Sequence, residues 1–289
     1  MTVVPIQEQR GYLWVLLHNS KFVVGLIIIL TLVTLAFAGN LLAQPEQRRA
    51  GSFPARLPPG PGGLLGTDSL GRSVAIQMTE AVPKSLQVGL IAATFGTFVG
   101  AVIGFASGYF GGVVDALLRI LIDVFLSVPS LLFLILIASL LRGVSVQTMA
   151  LIIGAFAWAS PARQVRAQVL SLKERPFVQV ARLSDMSGLE IIFRELMPHM
   201  LPWLGANFVN AFLAAILAES GLSILGLGPQ REMTLGMMIY WALSYSAILQ
   251  NLWWWWLTPV LTLISLFFSL YLVHLGFDEV SNPRLRAQV

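Results

Sequence analysis

Residues 233–277 run for 45 positions without a Lys, Arg, Asp or Glu. Residues 22–45, 85–114 and 143–162 are equally free of charge, 120–141 hold one acid at Asp123, and 203–227 hold one at Glu219. A hydrocarbon core about 30 Å thick is crossed by about 20 mostly apolar residues in a helix. A chain assembled from such runs folds as an all-α polytopic membrane protein. Its composition agrees: 56% of the 289 residues are hydrophobic and 11% are charged, against roughly 45–50% and about 25% in soluble domains. A soluble fold of this length would have too few charges to cover its surface, and the chain is too apolar for intrinsic disorder. The absence of cysteine excludes disulfides, zinc–thiolate sites, iron–sulfur clusters and thiol chemistry.

Six spans follow if 233–277 is one crossing, at about 255–276, preceded by a segment at the membrane interface. Two crossings there would make seven and move the C-terminus to the other side. With the N-terminus inside, ten of the 18 Lys and Arg lie in inside segments, six of them between 163 and 200. Seven lie outside, five of them (Arg48, Arg49, Arg56, Arg72 and Lys84) in one long loop. That bias places both termini in the cytoplasm. The division is then a cytoplasmic segment 1–21, an anchor helix 22–44, an extracytoplasmic loop 45–84 with a short helix, a core membrane domain 85–276 containing an inside loop 163–200, and a cytoplasmic tail 277–289. The run from Phe22 is too long for a cleaved signal peptide. No basic–aromatic cluster in a soluble domain points to nucleic acid.

The long outer loop holds Pro45, Pro54, Pro58, Pro59 and Pro61 with Gly51, Gly60, Gly62 and Gly63, so it is irregular. It ends in Leu65-Gly66-Thr67-Asp68-Ser69-Leu70-Gly71-Arg72. Thr67 or Asp68 is placed to cap a short helix running to about Val82. Asp68 and Arg72 are the charged pair this segment offers to an outside partner. In the inside loop, Pro176 interrupts a helix. Val180, Leu183 and Met186, then Leu189, Ile192, Phe193 and Leu196, recur at the spacing of two amphipathic helices. Ser187-Gly188 breaks them, and Pro198 and Pro202 end the second before the fifth span.

Several blocks, in order along the chain, resemble the C subunits of the dipeptide/oligopeptide permeases, members of the ABC-importer permease family. Leu65-Gly66-Thr67-Asp68 with Gly71-Arg72 resembles their LGTDxxGRD stretch, with Ser73 for the last Asp. Gly108-Tyr109-Phe110-Gly111-Gly112 with Asp115, Arg119, Asp123 and Pro129 resembles GYYGGxxD…R…D…P. Glu219-Ser220-Gly221-Leu222-Ser223-Ile224-Leu225-Gly226-Leu227-Gly228 is similar to EASLSFLGLG, and Asn282-Pro283-Arg284-Leu285-Arg286 to a terminal DPRLR. The inside loop resembles the family's cytoplasmic EAA loop, which reads Glu-Ala-Ala, three residues, Gly, nine residues, Ile-x-Leu-Pro. Here Gln179, Val180 and Ala181 stand first, Asp185 replaces the Gly, Glu195 and Met197 replace Ile and Leu, and Pro198 closes it.

The resemblance implies a type I ABC-importer transmembrane fold in a bacterial or archaeal cytoplasmic membrane, and one half of a path for di- or oligopeptides. Oligosaccharides, nickel complexes and opines are the alternative cargoes. The implied partners are a second homologous permease, two ATPases (identical or different) and an extracytoplasmic solute-binding protein, besides the lipid membrane. ATP and Mg would be held by the ATPases, because none of Lys21, Lys84 and Lys173 stands in a Gly-Lys-Ser/Thr phosphate loop. No cofactor, metal or catalytic residue is expected in this chain. Gln179, Val180, Ala181, Arg182, Leu183, Ser184, Asp185, Met186, Ser187, Gly188 and Pro198 would couple it to the ATPases. Ala181 is small enough for close approach, Asp185 tolerates a left-handed turn, and Gly188 offers a second place for one.

Charges within spans are functional candidates by default. Asp115, Arg119 and Asp123 share a helical face, so Arg119 pairs with either acid or takes part in gating. Glu219 either bonds the following glycine-rich turn or lines the substrate path. Gly89, Gly96, Gly100 and Gly104 form a small-residue row suited to close helix packing. Trp253, Trp254, Trp255 and Trp256 read as an interfacial belt. An ion-coupled secondary transporter is the competing class; it would need midplane acids and broken helices, and only Asp123 and Glu219 qualify.

Overall fold

The computed structural model describes residues 12–60, 63–141 and 143–281; the terminal block 282–286 lies outside them. The elements are α1 (Tyr12–His18), α2 (Ser20–Leu42), a 3-10 turn (Pro45–Arg48), α3 (Val74–Phe110), α4 (Gly112–Ser127), α5 (Ser130–Leu140), α6 (Val146–Ala157), α7 (Ala159–Leu172), α8 (Pro176–Leu183), α9 (Gly188–Ile224), α10 (Leu235–Ser244) and α11 (Trp253–Ser281). Two isolated backbone bridges in the outer loop, Gly60 with Gly63 and Thr67 with Ser73, are the only strand-like pairings among the described residues.

Four helices, α2, α3, α9 and α11, are long and apolar enough to cross a membrane. α4 and α5 make a fifth passage bent by 74°. The bend falls where Pro129 excludes helical backbone from Val128. The expected span at 143–162 is two helices, α6 and α7, of 12 and 14 residues, each below the roughly 20 a crossing takes. They meet at Trp158, where Pro161 has no N–H to continue the ladder. α10, ten residues and about 15 Å long, is too short to cross, so 233–277 contains one crossing.

α3 corrects the expected division at residue 84. It is one helix of 37 residues, about 55 Å, and the anticipated short helix is its first turns, with Pro83 inside it. Neither Thr67 nor Asp68 caps it; Ser73 is its N-cap residue. It stops at Gly111 and Gly112, with φ of 67° and 54°, backbone that only glycine adopts cheaply.

The glycine row explains why α6 and α7 act as one rod. A methyl added at Gly96, Gly100, Gly104 or Gly108 would lie 2.8, 2.7, 2.6 and 2.8 Å from the Cβ atoms of Ala157, Pro161, Val165 and Val169. The constant offset keeps one parallel register across the break at Trp158. Gly108 belongs to this ladder; Gly89 instead faces Phe212 and Ile216 of α9. On the other flank, α2 runs antiparallel to α11, with Gly25 against Ser269 and Val273 and Gly276 against Phe22.

The tryptophan run is mostly internal. Trp253 is exposed, but Trp254 and Trp255 are buried, and Trp254 donates through Nε1 to the Thr67 carbonyl at 3.0 Å. The Trp254 indole pins the outer loop to the bundle, and with Trp255 also buried the run is not a belt.

Candidate functional site

The loop between α7 and α9 folds into a protruding knuckle. Pro176 opens α8, a favourable first position because its absent N–H would be unbonded there anyway. Val178 and Ala181 are buried, in a cluster with Phe105, Val165 and Leu196. The opposite face is open: Gln179 and Arg182 are exposed, as are Val180 and Leu183, the latter at 87%. Asp185 turns the chain with φ of 54°, the left-handed conformation expected of it. Met186 N–H then returns to the Ala181 carbonyl at 3.2 Å, satisfying an end carbonyl of α8. Ser187 caps the next helix reciprocally, its Oγ accepting from Glu190 N–H at 3.3 Å while Glu190 Oε2 accepts from Ser187 N–H at 3.0 Å. Ser184 and Asp185 are exposed and Met186 is half-buried.

Three expectations change here. Ala181 is small because it faces inward, not because a partner approaches it. Gly188 does not share the left-handed turn; a Cβ on it would come within 2.8 Å of the Tyr109 ring, and Arg182 lies 6.0 Å over that same ring. Pro198 does not end a helix. Gly188–Ile224 is continuous through both Pro198 and Pro202, with a π turn at Ile191–Leu196 just before Pro198. The wider turn relaxes the ladder where proline supplies no donor. The knuckle is therefore the end of a 37-residue rod.

That rod forms one wall of a cavity of about 290 Å³ between α4–α5, α6–α7 and α9. Its polar residues are Ser130, Ser160, Gln164, Asn207 and Asn210. Gln164 donates to Ser160 Oγ at 3.1 Å, and Asn207 to the Trp203 carbonyl at 3.1 Å. Asn210 is exposed and has no hydrogen-bond partner among the described residues. Ala211, Ala214, Ala215 and Ala218 complete this face of α9. Sequence reasoning passed over these neutral residues. The available signal was two amides three positions apart in an otherwise apolar helix.

The charged candidates lie beside the cavity. Asp115 is held by Arg166 of α7, not by Arg119: Arg166 Nε and Nη2 donate to its two oxygens at 2.6 and 2.7 Å, and Ser107 Oγ donates as well. Asp123 takes Arg163 at 2.8 Å and Arg119 at 3.6 Å. Arg163 and Arg166, missed in the sequence, tie α7 to α4. Arg119, Asp123 and Arg163 are at least half exposed and do not line the neutral cavity.

Glu219 is not in the cavity wall. Fully buried, its carboxylate accepts from Ser223 at 2.7 Å, Thr234 at 2.6 Å and Ser85 at 3.4 Å. Ser85 Oγ in turn accepts from Leu235 N–H at 3.0 Å, so the group joins α3, α9 and α10. Asp68 is likewise buried. It accepts from the N–H groups of Leu70 and Arg72 at 2.8 and 2.9 Å, from Arg72 Nε at 2.7 Å and from Gln77 at 3.0 Å. A carboxylate with no exposed surface meets no docking partner directly. Asp68 and the largely covered Arg72 shape the outer loop from within.

A family model described as binding-protein-dependent transport system inner membrane component matches residues 96–287, which takes in the glycine ladder, the cavity helices and the knuckle. The chain belongs to the binding-protein-dependent transport inner membrane component family. It is 34% identical over 226 residues, 77% of each chain, to the oligopeptide transport system permease protein OppC of Mycobacterium tuberculosis. It is 30% identical over 269 residues to the dipeptide transport system permease protein DppC of Bacillus subtilis, covering 93% of this chain and 83% of the relative. The DppC of Alkalihalophilus pseudofirmus is 31% identical over 267 residues, 91% and 84% of the two chains. As an inner membrane component of such a transport system, the chain is a multi-pass permease subunit, and its helical architecture accords with the type I ABC-importer transmembrane fold.

Proposed function

We propose that this chain forms one half of the translocation path of an ATP-driven importer of di- and oligopeptides in the cytoplasmic membrane. A second, homologous permease supplies the other half. Two ATPases bind beneath the pair, the knuckle of this chain seating in an ATPase cleft, and an extracytoplasmic binding protein delivers cargo to the face bearing the 45–73 loop. The relatives' peptide systems support the cargo class. The observation that carries the mechanism is the continuity of Gly188–Ile224 from knuckle to cavity. A helix about 55 Å long, gripped at one end by a closing ATPase dimer, tilts as a unit and moves Asn207 and Asn210 at mid-length. Exposed Val180, Leu183, Leu189 and Phe193 give the ATPase cleft an apolar grip, while Gln179, without the family glutamate's charge, contributes a neutral contact. Arg163 and Arg119 on Asp123 form a closed ionic latch between α7 and α4, placed to part when the rod tilts.

The test is Leu183→Glu in the complete complex in proteoliposomes. Leu183 touches little of its own chain, so the fold survives while a charge enters the apolar grip. Peptide uptake and the ATPase stimulation by loaded binding protein are expected to fall at least tenfold together. Normal stimulation in this variant would exclude the knuckle as the coupling element.

A further inference from the structure

We infer that the cavity passes cargo by its peptide backbone and does not read side-chain charge. The inference rests on the reading of the cavity as part of the path. None of its lining residues is ionisable, although four charged groups lie within a few residues of it. Arg163 sits next to Gln164 in sequence, yet its guanidinium is turned to Asp123 at 2.8 Å. Glu219 follows Ala218, yet its carboxylate faces away, onto Ser85, Ser223 and Thr234. The chain therefore carries charge on either side of the wall and keeps it off the wall.

What remains is suited to amides. Gln164, Asn207 and Asn210 each offer one carbonyl and one NH₂, the same donor and acceptor pair that every peptide bond carries. A passing backbone exchanges hydrogen bonds with water for hydrogen bonds of equal kind, so it is neither rejected nor trapped. Conduction needs both conditions. The alanine face of α9 keeps the wall low for side chains of any size. A fixed charge on that wall would favour one class of side chain and repel the other, at short range in a medium less screening than water.

The experiment places a charge there. Asn210 is exposed and unbonded, so Asn210→Asp and Asn210→Lys leave the fold intact. Uptake of two peptides of equal length, one with acidic and one with basic side chains, is measured in proteoliposomes with the full complex and saturating binding protein. ATPase stimulation reports assembly. Relative to the unsubstituted protein, Asn210→Asp is expected to shift the basic-to-acidic uptake ratio up about tenfold and Asn210→Lys to shift it down about tenfold. If the unsubstituted transporter imports both peptides and neither variant changes the ratio, the inference is overturned and the proposed function stands. If the unsubstituted transporter imports neither peptide, the proposed function fails and takes the inference with it.

Discussion

Gly104→Ala tests the helix ladder directly. The added methyl would lie 2.6 Å from the Val165 Cβ, 2.7 Å from the Ala162 carbonyl oxygen and 2.8 Å from Val165 Cγ1. Carbon atoms pack at about 3.5–4.0 Å, so α3 and α7 must part by about 1 Å at this rung. Val165 Cβ and a backbone oxygen cannot swing aside as a flexible side-chain tip would. Overpacking of this kind costs about 1–3 kcal/mol. The neighbouring rungs at Gly100 and Gly108 are equally tight and would loosen with it. Gly221→Ala is the control. Gly221 lies within α9 with nothing within 4 Å of an added Cβ, so alanine there is neutral or stabilises by up to about 1 kcal/mol through helix propensity. Reversible unfolding of the purified protein in bicelles reads both values. Opposite signs are expected. Equal stability of the two variants would refute the ladder as the contact that holds α7 to α3.

Three further outcomes follow from single contacts. Arg166→Lys loses the two-pronged grip on Asp115; since both side chains keep about a fifth of their surface exposed, the cost should be about 1–2 kcal/mol in the same unfolding assay, between typical surface and buried pairs. Asp68→Ala leaves the N–H groups of Leu70 and Arg72, the Arg72 guanidinium and the Gln77 amide without their acceptor; the 45–73 loop should be cleaved by added protease at least tenfold faster, whereas Asp68→Asn, which keeps an acceptor, falls between. Asp185→Gly should preserve coupling and Asp185→Val should impair it, because a β-branched residue is strained at φ of 54°; binding-protein-stimulated ATPase activity in the whole complex separates them.

Charge-free length fixed the solvent and the helical class but left one or two crossings open in 233–277, and the ten-residue α10 decides for one. The knuckle was legible in outline, since Pro176, the left-handed Asp185 and the Ser187 cap act through neighbours in sequence. Faces were less legible. Val180 and Ala181 are adjacent, yet one is exposed and the other buried, and only the docking of α8 on Phe105 and Val165 decides which. Pro198 and Pro202 looked like stops, because sequence does not show that a π turn can absorb the missing donors. Spacing offers Arg119 to either Asp115 or Asp123, and it takes Asp123; the partner of Asp115, Arg166, comes 51 residues later and meets it only once the glycine ladder has set the register of α7. Asp68 and Glu219 looked available to partners until packing enclosed them.

The central claim is that Gly188–Ile224 moves as one rod between knuckle and cavity. The chain has no cysteine, so spin labels attach only where they are introduced. Leu189→Cys with Leu217→Cys, both exposed positions on the rod, are 28 residues and about 42 Å apart in a straight helix. Each is also paired separately with Leu35→Cys on α2, exposed as well. Pulsed electron double-resonance distances in the full complex, nucleotide-free and ATP-bound, decide the matter. The account predicts that the 189–217 distance stays within the width of its distribution while both distances to residue 35 change. A 189–217 distance that changes on ATP binding while 217–35 stays fixed would contradict it, because the helix would then be flexing at its π turn and the cavity would not feel the knuckle.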